Sequence, residues 1–287
     1  MKRSQTFNND YATLYVIATP IGNLQEISPR IIDALNCCEV IFCEDTRVSF
    51  KLLQHLNIQK PLFSAYENIE KAATEKIINY LKNGKNVAFL SDAGYPGISD
   101  PGQLIINQVR NYDFNVAIIN GPSALIHSLV GSGFPSDHFY FYGFLPPKKN
   151  QRKMILEKLK TFEDTLIFYQ SPHKVEECLK DMQETLGDRS ICLCRELTKK
   201  FEEFIFGNIS EIIPICNSLK GEMVIVCSGY KNQTIKNLDQ NLLDEINLEI
   251  ANGLSTSLAI KKIAQKYQLK KNEVYSFYIQ GGKNHEE

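Results

Sequence analysis

The chain of 287 residues contains no tryptophan and only four methionines, and its charges nearly cancel: 32 Lys and Arg stand against 33 Asp and Glu. With a formal charge of −1 there is no overall basic field, so any contact with nucleic acid has to come from local patches. Long apolar runs are also missing. The longest are strand-sized, far short of the roughly 20 residues that span a bilayer. Met1-Lys2-Arg3 is followed by a polar run, Ser4 to Asp10, where an export signal needs an apolar stretch. Cytoplasmic residence without a membrane is the expectation. There is no C-x-x-C pair and no Cys/His group at zinc spacing, so no metal is expected. Most of the eight cysteines lie in or beside apolar runs such as VIFCE and ICLCRE, where a reduced thiol packs as a small hydrophobe. Neither G-x-G-x-x-G nor G-x-x-x-x-G-K-[ST] occurs, which removes the main support for dinucleotide-binding and P-loop readings.

What is present is the composition of an ordinary folded protein, 43% hydrophobic and 23% charged, and at roughly 150 residues per domain the length suggests about two domains. Short β-rich runs recur at 13–19, 40–45, 86–92, 115–121, 139–144, 165–171, 190–196, 202–209 and 222–228. Several are apolar at nearly every position, as strands covered on both faces are. Helical patterns lie between them. Asn68 to Leu81 sets Ile69, Ala72, Ala73, Ile77, Tyr80 and Leu81 along one side, with Gly84 placed to end the helix. Pro172 sits where a first helical turn tolerates proline, and that helix ends at Gly187. The alternation predicts an α/β protein with a largely parallel sheet. Breaks in composition divide it into an N-terminal α/β domain (12–121), a second α/β domain (122–230) and a helical extension (231–287). The extension opens on a linker-like stretch and continues with helices near 241–251, 255–267 and 271–280. The last two, around a Leu-Lys turn, are helix-turn-helix-like.

Three loops at strand carboxyl ends carry the chemistry, because open α/β sheets bind ligands there. TPIGNLQEIS turns sharply at Pro20 and Gly22. SDAGYPGISDPG (91–102) holds three glycines, two prolines and two aspartates in twelve residues. Asp92 and Asp100 can accept hydrogen bonds from ribose hydroxyls or a ligand amine, and Asp100 can equally cap a helix starting at Pro101. INGPSAL offers Ser123 and its backbone amides. Together the loops suggest a pocket for a nucleoside-bearing cofactor, read largely by backbone groups.

In order and spacing, the strings ATPIGNL (18–24), EDTR (44–47), SDAGYPGISDPG, GPSA (121–124), GFLP (143–146), IFYQSPHK (167–174), RELTK (195–199) and KGEMVIV (220–226) resemble the tetrapyrrole methylase superfamily. Within it they resemble the ribosomal small-subunit RNA 2′-O-methyltransferase I family. The resemblance spans about residues 13–230, and the helical tail is similar to that family's C-terminal extension. It implies the two-domain fold of class III methyltransferases, S-adenosyl-L-methionine bent into the cleft between the domains, and a homodimer. It places Pro20, Gly22, Asp92, Ala93, Gly94, Gly97, Ile98, Ser123, Ala124, Gln170 and Leu197 around the cofactor. The implied substrate is the ribose of a decoding-site cytidine, cytidine 1402, in the 16S rRNA of the small ribosomal subunit. The sequence departs from the pattern at Tyr95 (a customary threonine), Asn120 (proline), Gln170 (glutamate) and Lys174 (arginine), and Tyr95 is the departure most able to narrow the pocket.

Methylating a ribose hydroxyl requires placing its oxygen in line behind the activated methyl, at about 3 Å, and assisting loss of its proton. Asp45, Arg47, Glu196 and Lys199 are the candidates for this chemistry, with structural ion pairing as the competing reading. Lys199 can act through its charge, or as a base if its pKa is depressed; Arg47 can hold an RNA phosphate. His127 and His173 are left out of catalysis. His173 is expected to help shape the second-domain wall. Two basic runs, 148–160 and 261–273, favour phosphate contact over a merely solvated face. Tyr267, Tyr275 and Tyr278 beside the second run are read mainly as packing residues. The alternatives are a same-fold methyltransferase of a tetrapyrrole or diphthine-type substrate, and a non-catalytic RNA-binding assembly factor.

Overall fold

Strands that are apolar at almost every position need cover on both faces, and the first sheet has it. The computed structural model describes residues 6, 11–231, 239–267, 269 and 271–282. Residues 232–238 of the expected linker and Lys270 of the expected turn lie outside them. In the first sheet, β1 (Thr13–Ile17), β2 (Val40–Cys43), β3 (Leu62–Ser64), β4 (Val87–Leu90) and β5 (Asn115–Ile119) lie in the order β3-β2-β4-β1-β5. Every pairing is parallel. Successive side chains point to opposite faces. Val40, Phe42, Val87 and Phe89 therefore pack with Ile77, Leu81, Ile105 and Val109 of α3 (Glu70–Lys82) and α4 (Gln103–Asn111). Ile41, Cys43, Ala88 and Leu90 pack against α1 (Pro29–Asn36) and α2 (Thr46–His55). On α3, Ala73, Ile77 and Leu81 are buried as expected while Ala72 is exposed, and Gly84 follows in a left-handed conformation (φ +71°).

The second sheet corrects the expectation of parallel pairing. Its strands are β6 (Phe139–Phe144), β7 (Thr165–Gln170), β8 (Ser190–Arg195), β9 (Glu203–Asn208) and β10 (Met223–Cys227), in the order β6-β7-β10-β8-β9. Only β6 and β7 run parallel; the other three pairings are antiparallel. The short connection between β8 and β9 cannot hold the crossover that parallel neighbours require. One face packs on α6 (Lys149–Leu159), α7 (Val175–Leu186) and α8 (Ile209–Ile212). The other packs on Leu129 of α5 (Ala124–Ser132) and on Ile21 from the loop after β1. Ile21 thus ties the first sheet's ligand-facing end to the second sheet.

The described residues divide into two compact units, one up to Tyr230 and the other from Lys231 onward. The second is a cluster of α9 (Asp239–Ala251), α10 (Thr256–Lys266) and α11 (Lys271–Gly282), close to the expected spans, around Leu242, Ile246, Ile260, Ile263 and Val274. No described helix is long and apolar enough to cross a membrane. All eight cysteines are free, seven of them buried.

Candidate active-site cleft

The loops that leave β1, β2, β4 and β5 all emerge at the same edge of the parallel sheet, and they are laced together. Thr19 and Gly94 exchange backbone hydrogen bonds at 2.9 and 3.0 Å, Ala18 donates to the Ile119 carbonyl, and the Thr19 hydroxyl donates to the Ser91 carbonyl at 3.1 Å. Gly102 closes the long loop at φ +140°, where an added Cβ would lie 2.7 Å from the ring of Phe89. Its N–H donates to Glu70 at 2.9 Å, so α4 starts at Gln103 behind a glycine. Asp100 is therefore not the cap of a helix beginning at Pro101.

Between these loops and the second sheet lies a cleft of about 430 Å³. Asp92, Ala93, Gly94, Ile98, Ser123 and Ala124 line it from the first-sheet side. Gln170 and Leu197 line it from the other, where Gln170 accepts a hydrogen bond from the Ser171 N–H at 2.9 Å. Eight of the eleven residues expected around a cofactor thus border one space. Pro20 does not: it lines a neighbouring cavity. Gly97 supports the loop by donating its N–H to the Pro101 carbonyl at 3.0 Å. Gly22 lies beneath the Lys199 side chain, whose stem occupies the space a Cβ would need.

Sequence reasoning passed over much of the opposite wall, including Tyr169, Met223 and Val224, and it passed over the charge of the cleft. Glu44, Asp92, Asp100 and Glu222 line it, and no Lys, Arg or His does among the described residues. Burial, with the charges of Glu44 and Asp92 added, pushes Asp100 up to about 7. Burial likewise raises Glu44 and Asp92. Tyr169, facing Asp100 from β7, is raised by burial and in small part by that carboxyl. The signal for Glu44 was its place in EDTR, first beyond the carboxyl end of β2.

The four residues expected to act on the acceptor stand outside the cleft lining, in ion pairs. Asp45 caps α2, accepting from the Arg47 N–H at 2.8 Å and from its guanidinium at 2.6 Å. The Arg47 hydrogen bonds hold Asp45 down to about 2. The Asp45 N–H reaches the Asp92 carboxylate at 3.0 Å, so the pair braces a cleft residue. Lys199 Nζ lies 3.0 Å from Glu196 and 2.8 Å from Glu222. Burial lowers its pKa, but the two carboxylates outweigh that and leave it raised, so Lys199 stays charged and is no base. Burial raises Glu196 too, and the Lys199 and Glu222 contacts bring it below the usual range. Glu196 and Thr198 hold left-handed backbone angles (φ +50° and +66°) in this turn, conformations that cost energy outside glycine.

Two of the expected departures meet: the Tyr95 hydroxyl lies 3.5 Å from Asn120 Oδ1 and accepts the Gly121 N–H at 3.3 Å, on the cleft wall. Lys174 and His173 are exposed, so His173 shapes no wall of the cleft. His127 pairs with Glu202 at 3.0 Å and stacks on Phe204. The first basic run is largely neutralised and the second in part. Arg152 is buried against Asp181 at 2.6 Å and Glu177 at 2.5 Å, and Lys149, Lys153 and Lys160 also have acidic partners. In the helical unit Lys262 pairs with Glu249 and Lys266 with Glu245, both at 2.7 Å. Tyr267 and Tyr278 pack on that unit's core while Tyr275 is exposed.

The profile of the Tetrapyrrole (Corrin/Porphyrin) Methylases matches residues 13–213. Solved structures share the fold at low identity. The methyltransferase CobJ superposes with a TM-score of 0.58 at 14% identity, covering 76% of this chain and 94% of its own. Uroporphyrin-III-C-methyltransferase from Thermus thermophilus gives 0.53 at 15%, with the same coverages. Sequence relatives are nearer. Ribosomal RNA small subunit methyltransferase I of Bacillus subtilis (strain 168) is 40% identical, covering 97% of this chain and 98% of its own. The protein of the same name from Vibrio cholerae is 39% identical, with 98% and 99% covered. With the cleft at the sheet's carboxyl edge and relatives matching end to end, the chain belongs to the ribosomal RNA small-subunit methyltransferase I family, a branch of the tetrapyrrole methylases.

Proposed function

We propose that the protein transfers a methyl group from S-adenosyl-L-methionine to the ribose 2′-oxygen of a decoding-site cytidine in 16S rRNA of the small ribosomal subunit. The observation that carries this reading is the end-to-end similarity to relatives named for small-subunit rRNA methylation. The cleft suits the donor. Ile21, Ile98, Leu197 and Val224 offer apolar cover for an adenine, and a lining with Glu44, Asp92 and Asp100 and, among the described residues, no basic side chain suits a ligand carrying a sulfonium and an ammonium. When bound, the cofactor supplies an activated methyl group, so the protein's work is placement and proton management.

The loop clamp between Thr19 and Gly94 fixes one wall, and Ile21 joins it to the second sheet, which keeps the cleft at a set width. Asp100 takes up the proton that leaves the acceptor hydroxyl, because it is the cleft carboxyl that titrates near neutral pH. Lys199, kept protonated at the rim, stabilises negative charge growing on the acceptor oxygen. Asp45 and Arg47 brace Asp92 and offer a guanidinium to the RNA backbone. We assign the division at 121/122 to two cooperating domains. We also assign a homodimer, supported by Ile126 and Val130, which expose apolar surface one turn apart on α5. The test is methyl transfer from labelled donor to unmodified small subunits, with the product nucleotide mapped by mass spectrometry. A 2′-O-methylcytidine at the decoding site is expected. Methyl on a base, or none despite donor binding and competent subunits, would overturn the reading.

A further inference from the structure

Neighbouring residues of one loop face two different spaces: Ile21 lines the cleft, and Pro20 lines a second cavity of about 290 Å³. Asp92 lines both, so the two spaces share a wall. The far side of the second cavity is the face of α2 that carries Val48, Lys51 and Leu52. Leu24 and Val48 leave apolar surface to water there, at 44% and 42% exposure. Arg47, the residue before Val48, has a side chain 87% exposed whose guanidinium pairs with Asp45 at 2.6 Å, and Lys51 is exposed as well. At the lower end of the size range for small-molecule sites, the cavity has apolar sides and cations on the helix that borders it.

We infer that this cavity receives the base and backbone of the acceptor nucleotide of the RNA, the base against Pro20, Leu24 and Val48 and the phosphates at Lys51 and Arg47, with the ribose reaching past Asp92 into the cleft that Asp100 lines. The inference rests on the RNA-methylation reading and deepens it. Two requirements select this space. In-line transfer needs the acceptor oxygen within about 3 Å of the methyl carbon, so the acceptor's space must adjoin the donor's, as a shared Asp92 wall provides. A target base must also leave its stack, and an unstacked base is held by apolar contacts while cations hold its backbone.

Val48→Trp fills the cavity from an exposed helix position, and Lys51→Glu reverses the charge beside it. For Val48→Trp we expect the KM for unmodified small subunits to rise at least about tenfold, with donor affinity by calorimetry and Tm unchanged. Lys51→Glu should weaken subunit binding and reduce the slope of log affinity against log salt by about one. An unchanged KM in Val48→Trp, a loss of donor affinity, or a change of oligomeric state in either variant would overturn the assignment, the last by making the cavity a protein interface. The two readings fail separately. If wild-type enzyme methylates no ribose, the RNA reading falls, whereas normal ribose methylation by both variants removes only the cavity's role.

Discussion

Glu44 and Asp45 are consecutive residues with opposite electrostatics. Asp45 faces the rim, takes Arg47 as partner and is held down to about 2. Glu44 faces the cleft, where burial and Asp92 raise it. The same contrast runs through the whole site. Carboxylates at the rim have cations, with Glu196 and Glu222 sharing Lys199. Those deeper in the cleft face one another, and Asp100 is raised furthest. Proteins rarely leave buried carboxylates without a cation unless a ligand supplies one. Three half-buried carboxyls crowded together, Glu44, Asp92 and Asp100, favour either protonation or a cationic guest, while the rim residues hold their charges in ion pairs.

The contrast can be sharpened by removing partners, beginning where the penalty is greatest. Arg152→Ala leaves Asp181, 2% exposed, without its buried cation; a loss of about 3–5 kcal/mol in unfolding free energy is expected from denaturant titration. Lys199→Ala should cut turnover about 100-fold while donor affinity stays within about threefold; near-normal turnover would remove Lys199 from the chemistry. Asp100→Asn should do the opposite of Arg152→Ala. A carboxyl raised from 3.8 to about 7 stabilises the fold below its unfolded pKa and loses that contribution as pH rises through 7. The amide removes this loss, so Tm should rise by about 2–4 °C at pH 8, with the gain shrinking as pH falls from 7 toward 4. Arg47→Met breaks an exposed pair and should move Tm by less than about 1 °C. A larger shift there would blur the distinction between rim and cleft.

Most strands and the three ligand loops were legible because hydrophobic runs and Gly/Pro turns act locally. β3 was not, since Leu62–Ser64 is three residues long and follows a proline. The antiparallel half of the second sheet had a local sign, the short connection from Arg195 to Glu203, but strand direction is otherwise a long-range property. The eight expected residues that meet in the cleft were legible as motif positions. Ion pairing of Asp45, Arg47, Glu196 and Lys199 was legible as the competing reading, whereas the clustering of Glu44, Asp92 and Asp100 was not, because it depends on which neighbour each side chain faces. Asp100 read equally well as a cap until Gly102 and Glu70 took that role. The basic run at 148–160 looked free until Asp181 and Glu177 of the next helix were brought beside Arg152.

The most direct measurement is calorimetry of donor binding at pH 6, 7 and 8 in buffers of different ionisation enthalpy, comparing wild type with Asp100→Asn. A cation entering this cleft should drive Asp100 toward its ionised form. Net proton release near pH 7 and affinity rising about tenfold from pH 6 to 8 are expected, both lost in Asp100→Asn. Donor binding that exchanges no proton and keeps the same affinity across that range would contradict this expectation.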